Sequence, residues 1–238
     1  MGFFNMDGPI YKIGNIIADI LILGVLWILL AIPVVTIGAS TSAVYYVCTK
    51  RVNGREGYLW QDFWKSFRQN FLTATAVWLT LLVAYGVLSF NIINAGILEG
   101  MANIVLVVSF IIFVQMVFIH TYVFALISRF EMGYREVFKT AFFLANRHIL
   151  LTVANAILLA GLVLISLLQP IFVIPAAGAY FYFSSFLVVK AFKKYRPDLD
   201  VEANLGELGP LQFDDDDKGD DTVLNLDKLK EMQDDKEE

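Results

Sequence analysis

A single cysteine, Cys48, stands in a chain of 238 residues. No intrachain disulfide can form, which excludes a disulfide-stapled scaffold and leaves the redox compartment open. Charge is scarce as well. Asp, Glu, Lys and Arg make up 17% of the residues, where a soluble domain carries about a quarter. The patterns that announce chemistry are missing too. There is no Cys/His metal spacing, no GxSxG, no phosphate-binding Gly loop and no carboxylate pair inside an apolar run. Neither a cofactor nor an enzymatic activity is expected. "DDDDKG" at 214–219 resembles the start of a calcium loop, but Lys218 occupies a ligand position and Asn225 stands where a Glu should close it. The first residues, "MGFFNMDGPIYK", lack a basic n-region and a small-residue cleavage site. The first apolar block is therefore expected to be retained. Met6 stands where a myristoylation pattern wants Ser or Thr.

What the chain does have is apolar bulk, 58% of its residues, gathered into blocks. A hydrocarbon core of about 30 Å takes about 20 apolar residues in a helix. Five blocks qualify: 13–32, 71–93, 104–127, 149–168 and 171–189, with Asp19 the one Asp, Glu, Lys or Arg inside them. They are continuously apolar, without the period-two alternation of strands. The expected fold is an all-α membrane bundle of about five transmembrane helices, with inner-leaflet and interfacial amphipathic helices added.

Charge divides the chain. Residues 1–196 hold 14 Lys/Arg and 7 Asp/Glu; residues 197–238 hold 4 Lys and 16 Asp/Glu. A basic transmembrane domain over 1–196 is thus followed by an acidic tail over 197–238, too poor in apolar residues to fold alone. Within the body, basic residues alternate from loop to loop. Lys12 precedes block one; Lys50, Arg51, Arg55, Lys65 and Arg68 follow it; none lies between blocks two and three. Arg129, Arg135, Lys139 and Arg147 come next, then none, then Lys190, Lys193, Lys194 and Arg196. With five crossings, the positive-inside rule puts the N-terminus outside and the acidic tail in the cytoplasm.

The stretch 33–48 is apolar but short for a span. Pro33 should end or kink the first helix, and Ser40 could cap a new one carrying Tyr45 and Tyr46. The expectation is a short helix in the inner leaflet or packed under the bundle. The rival reading is a sixth crossing with the N-terminus inside, which requires a very tight turn at Pro33.

"GYLWQDFWKSFRQNF", 57–71, places Trp60, Phe63, Trp64, Phe67 and Phe71 on one helical face, with Gln61, Asp62, Lys65, Arg68 and Gln69 opposite. This is the pattern of a helix lying in the membrane interface, its rings at headgroup depth. A gating or partner-docking helix is the alternative. "GYREVFKTAFFLANR", 133–147, repeats the pattern: Gly-Tyr at the start, Lys-Ser or Lys-Thr within, Asn near the end, then a crossing. A weak internal duplication, 13–93 and 104–168, follows from this.

Polar groups inside apolar spans are functional candidates. His120 and Gln115 lie in block three, and Asn155 lies six residues into block four at a depth close to His120. His120 and Asn155 are expected to approach each other, and Gln115 to face the interior. Asn15 and Asp19, at i and i+4, are expected to support each other at the outer interface.

"FFNMDGPIY", "LWILLAIPVVTIGASTSAVYYV" and "GYLWQDFWKSFRQNF" together resemble the YesL-like integral membrane proteins, over roughly residues 3–195. That family is classed as a domain of unknown function. The resemblance implies a multi-pass plasma-membrane protein of a Gram-positive bacterium, accessory to carbohydrate uptake. It supplies no catalytic residues, and the acidic tail lies outside its pattern. The expected partners are the lipid bilayer and a membrane transporter or sensor, not nucleic acid. The competing functions are a non-enzymatic accessory protein, a small secondary carrier with Gln115, His120 and Asn155 along its path, and, more remotely, an intramembrane enzyme.

Overall fold

The computed structural model describes residues 9–55, 57–95 and 102–195. The acidic tail, with the calcium-like run and the expectations placed on it, lies outside the described residues. The described chain is helical throughout. Its helices are α1 (Pro9–Ala31), α2 (Ile37–Val52), α3 (Leu59–Asn94), α4 (Ala102–Arg129), α5 (Tyr134–Arg147), α6 (Ile149–Leu168) and α7 (Val173–Phe192). Five of them, α1, α3, α4, α6 and α7, are long and apolar enough to cross a membrane, as the five blocks require.

Local chemistry sets the breaks. Pro33 disfavours a helical conformation in the residue before it, and α1 stops at Ala31. A short 3-10 turn over Val34–Thr36 then reverses the chain, braced by the Thr36 hydroxyl donating to the Pro33 carbonyl at 2.7 Å. After α2, Gly54 takes φ +72°, a left-handed conformation that costs glycine nothing. Gln169 is extended because Pro170 follows it, and the chain turns into α7 there. At Gly133, the Glu136 carboxylate accepts the Gly133 N–H at 3.3 Å and caps α5.

Neighbouring helices are antiparallel, and paired residues fix their register. Trp27 Nε1 donates to Thr41 Oγ1 at 3.0 Å, and Arg51 Nε meets Asp19 Oδ2 at 3.0 Å, so α2 runs back along α1. Lys50 bonds Asp62 at 2.8 Å, and Trp78 Nε1 donates to the Val34 carbonyl at 2.7 Å, so α3 runs back along α2. Tyr85 meets Phe113, placing α4 against α3. Tyr122 and Thr152 place α6 against α4. Gly178 lies against Ile20, and Gly24 against Ile174, so α7 closes the bundle onto α1.

Two results differ from expectation. First, α2 is not peripheral. Residues 38–49 are all buried, so α2 is the central strut of the bundle, packed by α1, α3, α4 and α7. At 1.5 Å per residue it is about 24 Å long, short of the hydrocarbon thickness. Second, the aromatic segment 59–71 does not form a separate helix lying flat. It is the first third of α3, a single helix of 36 residues. With no Gly or Pro between Leu59 and Ala84, nothing interrupts the backbone ladder. The chain does turn before α6, where His148 leaves helical geometry (φ −109°, ψ 48°). The second amphipathic segment, α5, is therefore a helix of its own.

The core is concentrated at one end. Residues 121–130 of the α4 end are buried on every side, as is α2. The same end gathers the charges. Lys50, Arg51, Arg55, Lys65 and Arg68 stand at the α2–α3 junction; Arg129 sits over Tyr46; Phe130 meets Phe192; and Tyr195 meets His148. At the other end, the far halves of α3 and α4 and much of α6 expose Val, Ile, Leu and Phe.

Candidate functional site

A buried polar cluster forms where α2, α6 and α7 meet. Asn155, 1% exposed, donates from Nδ2 to Ser184 Oγ at 2.8 Å. Ser184 Oγ shares a 2.8 Å hydrogen bond with the Tyr45 hydroxyl. The Tyr45 ring stands edge-on to Phe181, centroids 5.3 Å apart. One amide and two hydroxyls, each from a different helix, thus tie three elements together in an apolar surround. Such bonds are made because a lone amide or hydroxyl in that surround is costly. Asn155 Oδ1 remains without a partner. One turn nearer the basic end, the Tyr122 hydroxyl meets Thr152 Oγ1 at 3.1 Å, and Thr152 in turn donates to the Ala145 and His148 carbonyls at 2.9 and 3.0 Å. These bonds hold the α5–α6 corner against α4.

His120 is not part of this chain. Its ring lies among Trp78, Tyr85 and Phe124, at centroid distances of 6.1, 6.3 and 5.2 Å, and its buried Nδ1 finds no partner. Gln115, further along α4, has a buried Nε2 without a partner. The expected meeting of His120 with Asn155 is replaced by two separate environments: hydroxyls for Asn155 and aromatic rings for His120. Sequence reading passed over Ser184 and Tyr45, since a lone serine or tyrosine in an apolar run carries no signal by itself. "YFSSF" at the middle of the last span was the available hint.

The pair expected between Asn15 and Asp19 is corrected. Asn15 is exposed, and Asp19 reaches across to Arg51. A charge-assisted bond to a guanidinium is stronger than one to an amide, and α2 brings the guanidinium within reach. Asp19 therefore belongs to the basic end of the bundle.

The aromatic face of α3 divides. Phe63 and Phe67 are buried, Trp64 is half-buried, and Trp60 is 56% exposed. Trp64 stands edge-on to Trp60, Phe63 and Phe67, and the Arg68 guanidinium lies 5.7 Å from its ring centre. The face is a packing surface first. An open cleft of about 390 Å³ lies beside it, between Gln69, Asn70 and Thr73 of α3 and Phe130, Glu131 and Met132 after α4. It shares no lining residue with the Asn155 chain.

Among the described residues, no group of three His, Cys, Asp or Glu side chains is placed to hold a metal ion. The one cysteine, Cys48, is buried in α2.

Residues 20–92 match a family model described as "Protein of unknown function, DUF624". The match covers just under a third of the chain and takes in the second half of α1, all of α2 and nearly all of α3. No curated protein and no solved structure matches the chain.

Proposed function

We propose that this chain is a non-enzymatic, multi-pass plasma-membrane protein that acts through other membrane proteins, as an accessory to carbohydrate uptake or its regulation. The sugar context comes from the YesL-like resemblance, with which the DUF624 match is consistent. One observation supports an accessory over a carrier. The buried polar chain Tyr45–Ser184–Asn155 is short and local, and Gln115 and His120 stand apart from it among apolar and aromatic groups. A carrier needs polar groups that lead from one face toward the other.

A small carrier is the second reading. It is favoured by three buried polar atoms that lack partners: Gln115 Nε2, His120 Nδ1 and Asn155 Oδ1. Reconstitution separates the two. The purified protein alone in vesicles is expected to pass no sugar or ion. Its deletion from the native host is expected to slow uptake of at least one sugar, and crosslinking in that membrane to recover a transporter or sensor. Flux through the purified protein, abolished by Asn155→Leu, would overturn the accessory reading.

We also infer that the basic end faces the cytoplasm, with the start of α1 and the end of α7 both there. The support is the Asp19–Arg51 pair, which ties α1 to the cationic junction, combined with the positive-inside rule. This replaces the N-terminus-outside arrangement expected from five simple crossings.

A further inference from the structure

The cleft between α3 and the end of α4 is lined by side chains whose polar atoms the described protein leaves largely unused. Gln69, Asn70 and Thr73 line it from α3, where the polar start of that helix passes into its apolar run, and Glu131 lines it from the turn after α4. Elsewhere in the spans a hydroxyl folds back onto its own helix. Thr80, Thr121, Ser166 and Ser185 each donate to the carbonyl four residues earlier. Thr73 does not. Among the described residues its hydroxyl, the Gln69 amide and the Glu131 carboxylate meet no hydrogen-bond or ion-pair partner. Asn70 uses only Nδ2, which donates to the hydroxyl of buried Ser66 at 3.3 Å and leaves Oδ1 free. Ile127 and Phe130, both buried, supply an apolar wall, and Phe130 is held edge-on to Phe192 at 5.4 Å.

The chemistry of this lining narrows its occupant. It offers amides, a hydroxyl and one carboxylate, with no Lys or Arg. A phosphate or carboxylate ligand would meet Glu131 and no cation. An ammonium ligand would enter the cation-rich end of the bundle, with Arg68 next to Gln69 in the chain and Arg129 and Arg135 on either side of Glu131. A neutral polyhydroxyl group suits it better. Each of its hydroxyls donates and accepts, as the amides do, and a carboxylate accepts charge-assisted bonds from neighbouring hydroxyls. Its C–H faces pack on the apolar wall. The volume of about 390 Å³ is that of a small-molecule site.

We propose that this cleft binds one neutral, sugar-type polyhydroxyl group through Gln69, Asn70, Thr73 and Glu131. The inference rests on the lining alone and not on the accessory reading, whose test is uptake in a deletion host, so the two can fail separately. A glycolipid headgroup and a free sugar share this chemistry, and the experiment distinguishes them.

The full chain is placed in nanodiscs of phosphatidylcholine alone, with monoglucosyl diacylglycerol added, with phosphatidylethanolamine added, or with glucose in the buffer. The thermal midpoint of wild type is expected to rise by roughly 5–10 °C with at least one glucosyl source well above its Kd. A rise with the glycolipid alone assigns a headgroup, and a rise with glucose assigns a free sugar. Gln69→Leu, at an exposed position, is expected to lose about half of the rise, and Gln69→Leu with Thr73→Val nearly all of it. Gln61→Leu, exposed on α3 outside the cleft, is expected to keep the rise. No rise with either glucosyl source overturns the proposal. So does an equal rise in wild type and Gln69→Leu, which is the general exclusion of sugars from protein surface. A rise confined to phosphatidylethanolamine and lost in Glu131→Gln makes the cleft an ammonium site and overturns it as well.

Discussion

A methyl group added to Gly178 has nowhere to go. Its Cβ would lie 2.0 Å from the Ile20 carbonyl oxygen, and a Cβ on Gly24 would lie 2.2 Å from the carbonyl oxygen of Ile174. Both obstacles are backbone, so no side chain can swing away. Such contacts do not fall below 3.0 Å, so α1 and α7 must part by about 1.0 Å at one position and about 0.8 Å at the other. The two glycines stand opposite Ile20 and Ile174, each four residues from the other glycine's partner on the same helix. Together they form a reciprocal notch that lets two backbones approach, the small-residue packing by which membrane helices associate. Parting the helices forfeits dispersion contacts along the seam, and overpacking of this kind costs about 1–3 kcal/mol. It also moves Ser184 on α7 away from Tyr45, stretching a 2.8 Å bond toward the limit of bonding. Gly161→Ala and Gly86→Ala are the controls, because a Cβ there meets nothing within 4 Å. Thermal unfolding in one detergent should place Gly178→Ala roughly 4–10 °C below Gly161→Ala. The Gly24→Ala, Gly178→Ala double variant should cost less than the sum of the singles, because one separation relieves both clashes. Equal midpoints for Gly178→Ala and Gly161→Ala would refute the close seam.

Other substitutions read the same architecture. Asp19→Asn leaves Arg51 half-buried without its carboxylate and is expected to cost roughly 1–3 kcal/mol, below the loss from a fully buried pair because both side chains keep some solvent contact; exchanging the two residues should recover part of it in a double-variant cycle. Ser184→Ala removes the hydroxyl that serves both Tyr45 and Asn155, and is expected to cost about 1–2 kcal/mol in chemical unfolding, whereas Ser166→Ala, which loses a bond within its own helix, should cost less. Burial, then the positive charges of Lys194 and Arg147, hold the His148 imidazole below its ordinary value. The folded chain therefore resists protonation there, so its contribution is full above about pH 6.5 and falls as pH drops through the depressed folded value. His148→Asn should flatten the thermal midpoint between pH 8 and pH 5.

Length and apolarity made the five spans legible, because about 20 apolar residues in lipid have few alternatives to a helix. Pro33 announced the end of α1 for the same kind of local reason. Partner choice was not legible. Asn15 is the neighbour of Asp19 by helical spacing, while Arg51 becomes its neighbour through the reversal at Val34–Thr36, which brings residues 32 positions apart side by side. Asn155 carries a visible signal, but Ser184 and Tyr45 do not, and their meeting depends on the order in which α2, α6 and α7 pack. Phe63 and Phe67 are buried and Trp60 is exposed, whereas the aromatic residues of α3 were read as one face toward the interface. Whether lipid or protein covers it depends on α2, whose short apolar run gave no sign that it would be the centre of the bundle.

The proposed sidedness of the N-terminus turns on that same helix. Every basic residue that alternates from loop to loop lies at or beyond Lys50, the end of α2, so the charge rule orients α3 onward and is silent about what precedes it. Before α2 there is only Lys12. If α2 returned nowhere, α1 would have to start on the face opposite Arg51. The Asp19–Arg51 bond of 3.0 Å forbids that, since it sets the first half of α1 beside the basic junction. On the proposed orientation, α1 and α2 together make no net crossing. A protease-sensitive tag ahead of Met1 should accordingly resist digestion in intact cells and yield after permeabilisation. A cysteine replacing Gly54 should label only after permeabilisation, and one replacing Gln169, exposed in the α6–α7 turn, should label in intact cells. Cys48 adds little background because it is fully buried. Digestion of the Met1 tag in intact cells, with the Gly54 cysteine still protected, would separate Asp19 from Arg51 by a membrane and break the register on which the α1–α2 hairpin rests.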